Sequence, residues 1–163
     1  TQRFGERLGR HLVCGDVVAL VGELGSGKTT LIQGLARGLG VEERRVKSPT
    51  FVLLREYPGR VGLVHLDAYR LEGPASAAWM DLDWVFPPDK VTVIEWADRL
   101  QACRPEDYLE VRLAHRTTHQ RTLSAIGHGA RAPELLTRLT QDLAVADPVS
   151  TDTSEVAGGR AGD

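Results

Sequence analysis

The run Gly22-Glu23-Leu24-Gly25-Ser26-Gly27-Lys28-Thr29 gathers three glycines, a lysine and a hydroxyl into one short stretch, with a second hydroxyl, Thr30, directly after it. It fits G-x-x-x-x-G-K-[ST], and it lies between an apolar run and a helical pattern, the context in which this motif cradles phosphate. Glycines let successive backbone N–H groups turn inward around an anion, and the helix that follows presents the positive end of its dipole. Lys28, one of three lysines in the chain, is expected to be an exposed, mobile charge for the β- and γ-phosphates of a nucleotide. The Thr29 hydroxyl is expected to ligate the Mg²⁺ that bridges them.

A Mg²⁺ site also needs a carboxylate, commonly at the end of an apolar strand near the loop. Two acids qualify: Asp67 closes "VGLVHLD" and Glu95 closes "VTVIE". In "KSPTF", Pro49 biases Ser48 toward extended backbone, so Thr50 would stand on a short rigid turn, where it could sense a γ-phosphate as switch loops do. Along "HLDAYR", two-residue alternation puts His65, Asp67 and Tyr69 on one side of an extended segment. A buried histidine and a packing tyrosine are the default reading for His65 and Tyr69, and core or interface packing for Trp96.

The elements that must hold these residues are legible from periodicity. "RFGERLGRHLVCG" reads as an amphipathic helix with Gly15 after its end, "DVVALVG" as a strand buried on both faces, and residues 28–39 as a helix closed by Gly40. Residues 51–57, 61–67 and 91–96 read as strands. The first two are joined by a "PGR" link too short for a parallel crossover, hence an antiparallel hairpin. Residues 108–116 and 121–129 form a second strand pair, and 132–144 a final helix with Pro133 in its first turn. The fold class is α/β: one P-loop domain over residues 1–144, with a mixed parallel and antiparallel central sheet flanked by helices. Residues 145–163 are acidic and poor in large apolar side chains, so they are expected to be a disordered tail.

Bulk properties narrow the partners. The chain has 163 residues, 42% hydrophobic and 26% charged, enough for one domain with a core. A net charge of −2 offers no basic field for holding nucleic acid. Cys14 and Cys103 match no metal or redox spacing and read as reduced thiols, and no apolar run is long enough to span a bilayer. A cytoplasmic location without membrane contact is the expectation.

Taken together, "GELGSGKTT", "SPTF", "HLDAYR" and "IEWADRL" resemble the TsaE (YjeE-type) family, the ATPase component of tRNA threonylcarbamoyladenosine biosynthesis. The resemblance runs from Thr1 to about Leu143. It implies ATP or ADP with Mg²⁺ as ligands, TsaD and TsaB as partners, and only indirect contact with tRNA, whose adenosine 37 is modified by TsaD. It also implies that Gly22 to Thr30, thus Gly22, Glu23, Leu24, Gly25, Ser26, Gly27, Lys28, Thr29 and Thr30, hold the phosphates. By the same resemblance Thr29 and Glu95 hold Mg²⁺, Asp67 positions the attacking water, Thr50 is the switch residue, and Trp96 lies near the nucleotide or a partner. Two other readings share the loop. A small P-loop kinase would carry an arginine-bearing lid, yet residues 71–89 contain no arginine or lysine. A nucleotide-gated scaffold would bind without useful hydrolysis.

Overall fold

The computed structural model describes residues 1–49, 53–71 and 81–146. Six strands form one sheet: β1 (Val17–Gly22), β2 (Leu54–Tyr57), β3 (Gly62–Asp67), β4 (Lys90–Glu95), β5 (Tyr108–His115) and β6 (Arg121–His128). Their order across the sheet is β2-β3-β4-β1-β5-β6. The four inner strands run parallel, with Leu20 beside both Glu95 and Val111. The two edge strands are antiparallel, each hairpin-linked to its neighbour as the short "PGR" and "TTHQ" connections require. The register of β3 on β4 sets Asp67 beside Glu95 at the carboxyl ends of both strands. In open parallel sheets that end is where ligands bind.

Three helices, α1 (Gln2–His11), α2 (Lys28–Gly38) and α4 (Arg131–Ala146), contribute to one apolar layer with Val18, Leu20, Leu63, Val93, Leu109 and Val111 of the sheet. Leu31, Ile32, Leu35 and Leu39 in and just after α2 are fully buried there, each worth about 1.5–3 kcal/mol relative to exposure. The opposite face, with Val17, Ala19, Val64, Leu66 and Ile94, is covered by the short helix α3 (Leu82–Val85) and a 3₁₀ segment, Ala97–Cys103. Helices α1 and α2 cross at backbone contact. A Cβ at Gly5 or Gly9 would overlap the carbonyl oxygens of Leu31 or Leu35, and one at Gly34 that of Gln2. Sequence reading gave Gly34 no role, although its spacing from Gly38 mirrors that of Gly5 from Gly9.

Several boundaries differ from expectation. Helix α1 ends at His11 and not at a glycine cap, because the Asp16 carboxylate accepts a hydrogen bond from the Val13 N–H at 2.8 Å and draws residues 13–16 into a turn. Strand β2 starts at Leu54, after Leu53 at φ 70°, a left-handed conformation incompatible with a strand; residues 51 and 52 of the expected strand lie outside the described residues. The stretch 71–90, assigned no element from sequence, holds α3, whose Asp81 carboxylate accepts from the Asp83 N–H. Helix α4 includes Val145 and Ala146, two residues of the expected tail; the rest of the tail lies outside the described residues. No described helix is long and apolar enough to cross a membrane.

Helix α4 is capped from a distance. Both Asp107 carboxylate oxygens accept hydrogen bonds from successive N–H groups, those of Ala130 (3.2 Å), Arg131 (2.8 Å) and Ala132 (3.0 Å). Burial alone would raise the Asp107 carboxyl, but these donors and the Arg131 charge hold it below the ordinary aspartate range. Because the folded state binds this proton more weakly than the unfolded state, the cap's contribution is fully present above the unfolded value. It is lost as pH falls through the folded one. Asp107→Ala is expected to cost about 1 kcal/mol near neutral pH, the usual worth of a cap. The gap between mutant and native unfolding free energies should close as pH falls below the ordinary aspartate range, as read by urea titrations from neutral to acid pH.

Candidate functional site

Strand β1 ends at Gly22 and α2 begins at Lys28, so the loop between them spans the carboxyl edge of the sheet. Gly27, the residue before α2, adopts φ 103°, which only glycine takes without strain. The N–H groups of the first turn of α2 have no partner within the helix, as at any helix start, and no side chain caps them. They are the anion donors that the loop sequence implies.

Beside the loop lies an open cleft of about 480 Å³, lined by Leu24, Gly25, Gly27, Lys28, Thr29, Thr30, Ser48, Asp67, Tyr69, Glu95 and Trp96. Most of the expected site residues therefore converge. Gly22 and Glu23 do not line this cleft; they border a second hollow with Arg112 and His115. Ser26 is fully buried, and its hydroxyl has no hydrogen-bond partner among the described residues. Thr50, the expected switch residue, lies outside the described residues.

The expectation of an exposed Lys28 is wrong. Its side chain is 5% exposed and folds back on its own loop, where Nζ donates to the carbonyl oxygens of Gly22 (2.7 Å) and Glu23 (2.8 Å). The ammonium also lies 3.7 Å from the centre of the Trp96 ring, a cation–π contact. Desolvation lowers the Lys28 pKa, partly offset by the negative charges of Glu95, Asp98 and Asp67. Those carbonyls hold the ammonium at the edge of the cleft in the way a phosphate oxygen would.

On the facing side the Thr29 hydroxyl is 3.3 Å from both Glu95 carboxylate oxygens. Glu95 is buried, and its Oε1 also lies 2.8 Å from Nε2 of the fully buried His65. Asp67 sits beside it: Oδ2 accepts from the Ser48 hydroxyl at 2.7 Å and Oδ1 from the Tyr69 N–H at 2.9 Å. A hydroxyl and a carboxylate converging at the loop suit a hard divalent cation. No group of three or more His, Cys, Asp or Glu side chains is placed to hold a metal ion among the described residues, so a cation here would draw further ligands from phosphate and water, as Mg²⁺ characteristically does.

Trp96 follows β4 with φ 59°, an uncommon backbone state for a bulky residue. Its ring tilts at 58° against Tyr69 with centroids 5.0 Å apart. Arg99 covers both rings and donates to the Tyr69 carbonyl. Sequence reading missed Ser48, Tyr69 and Arg99 as site residues. Alternation had placed Tyr69 with His65 and Asp67, but β3 ends at Asp67, and Tyr69 reaches the cleft from the turn beyond it.

Sheet order, loop and cleft together define an α/β P-loop domain. The model of the family described as "Threonylcarbamoyl adenosine biosynthesis protein TsaE" matches residues 1–123. The chain belongs to the TsaE family, and so to tRNA threonylcarbamoyladenosine biosynthesis. It is 46% identical over 116 residues to the protein of that name from Streptomyces coelicolor, covering 69% of this chain and 77% of the relative. To the one from a Nostoc species it is 43% identical over 122 residues, covering 71% and 72%. The crystal structure of Bacillus subtilis YdiB superposes with a TM-score of 0.74 at 29% identity, covering 86% of this chain and 87% of that one.

Proposed function

We propose that this chain binds and slowly hydrolyses MgATP, and that its nucleotide cycle supports the TsaD and TsaB proteins that modify tRNA, without itself acting on tRNA. The observation that carries this reading is the convergence of Lys28, Thr29, Asp67 and Glu95 on one cleft beside the glycine-rich loop.

Each residue has a physical task. Backbone N–H groups at the start of α2 take the phosphate oxygens. Lys28 exchanges the Gly22 and Glu23 carbonyls for a stronger, charge-assisted contact to phosphate. Thr29 and Glu95 hold Mg²⁺, which when bound neutralises charge on the phosphates. Asp67, held by Ser48 and the Tyr69 N–H, offers a carboxylate at the cleft with which to orient a water molecule. Trp96 and Tyr69 wall the cleft.

Phosphoryl transfer depends mainly on positioning and charge stabilisation. Arg99, stacked on the cleft residues Tyr69 and Trp96, is already engaged there, which favours a partner as the source of a charge that speeds hydrolysis. Phosphate release from ATP should therefore be slow for the purified chain and rise at least about tenfold when TsaB and TsaD of the same organism are added, since charges supplied in trans are worth far more in other P-loop proteins. A rate unchanged by both partners contradicts the coupling, and transfer of the γ-phosphate to a metabolite instead of water would favour the kinase reading.

A further inference from the structure

We infer that His65 is a positioning residue for the cation site: an imidazole whose Nε2 fixes the Glu95 carboxylate from behind. The inference rests on the proposed nucleotide and Mg²⁺ reading for its consequence, and on the geometry of this chain alone for its premise.

His65 occupies the helix-facing side of β3, two residues before Asp67, and its neighbours on that side of the sheet include Leu63 and Val93. Both it and Glu95 are shielded from solvent, and they meet at 2.8 Å. The Thr29 hydroxyl, at 3.3 Å from both carboxylate oxygens, is well beyond the roughly 2.7–2.8 Å of a good O–H···O bond. The imidazole, not the threonine, therefore sets the angle of the carboxylate. It does so through Oε1, which leaves Oε2 directed by the same rigid contact.

The tautomer follows from the other ring nitrogen. His65 Nδ1 is buried and has no hydrogen-bond partner among the described residues. A ring with its proton on Nδ1 and none on Nε2 would bury an N–H donor without an acceptor. The Nε2–H form leaves only an unused lone pair, and it supplies the donor that Glu95 needs. Such supporting hydrogen bonds on a ligating carboxylate are generally worth about 10–100-fold in metal affinity.

The test compares His65→Leu, which removes the donor, with His65→Gln, whose Nε2 stands the same number of bonds from Cβ and can donate in its place. For each variant and the native chain, ADP affinity is measured without metal, and Mn²⁺ affinity of the ADP-loaded protein is measured by electron paramagnetic resonance. The expected result is that His65→Leu weakens Mn²⁺ binding by about 10–100-fold with metal-free ADP affinity little changed, and that His65→Gln restores most of the loss. A purely structural role would move both affinities together, or neither.

Nitrogen-15 spectra of the imidazole in the ligand-free native chain should show Nε2–H. Native-like Mn²⁺ binding by His65→Leu, equal loss in both variants, or a ring protonated at Nδ1 alone overturns the inference. If the native chain bound no ADP, the nucleotide reading would fall, while the imidazole spectrum would still decide the state of His65.

Discussion

Asp67→Asn is expected to lower the rate of ATP hydrolysis by about 10²-fold or more, the ordinary worth of a positioned proton acceptor, while ATP affinity changes little. The substitution isolates charge from shape. Asparagine can keep its oxygen on the Tyr69 N–H, and its amide can donate to the Ser48 hydroxyl, which is able to accept as well as donate. What it loses is a negative group to orient water. Single-turnover measurement separates the chemical step from binding and release. A native rate for Asp67→Asn would remove this residue from the reaction, and a loss of affinity with no chemical step to lose would favour the nucleotide-gated scaffold.

Lys28→Ala is expected to weaken ATP binding by roughly 10–100-fold, because a charge-assisted contact to phosphate contributes about 1.5–3 kcal/mol and each 1.4 kcal/mol is a factor of ten. The fold should survive with a lower unfolding temperature. The buried ammonium satisfies the Gly22 and Glu23 carbonyls and packs on Trp96, so its removal is not neutral. Those carbonyls, however, belong to a loop at the edge of an open cleft, where water can replace the lost donor. Calorimetric titration with ATP, beside a thermal melt, reads both effects. Native affinity in a folded Lys28→Ala protein would contradict the role given to the lysine.

Elements with one dominant period were legible in the sequence. The buried strand β1, the stripe of α2 and the two hairpins all stand where alternation and turn chemistry put them. The loop was legible because its chemistry is local: glycines, lysine and hydroxyl are consecutive. Asp67 and Glu95 were found as strand-end acids, but their adjacency comes from strand pairing, which no local pattern contains.

Other features escaped for the same reason. The Asp107 cap joins residues more than twenty positions apart, and Arg99 reaches the Tyr69 and Trp96 rings from a 3₁₀ segment without a periodic signature. Lys28 was misjudged because its residue type suggests solvent, whereas two backbone carbonyls and an indole ring outbid water for it. His65 looked like an ordinary core histidine, and only the carboxylate across the strand pair gives it a task.

Backbone amide spectra recorded during titration with MgADP test the central claim, that the loop at the start of α2 grips nucleotide phosphates. The account predicts large, saturable shifts at Gly25, Gly27, Lys28, Thr29 and Thr30, with the Lys28 side chain leaving the Gly22 and Glu23 carbonyls. Unmoved resonances for these residues at millimolar nucleotide, in a folded protein, would contradict it.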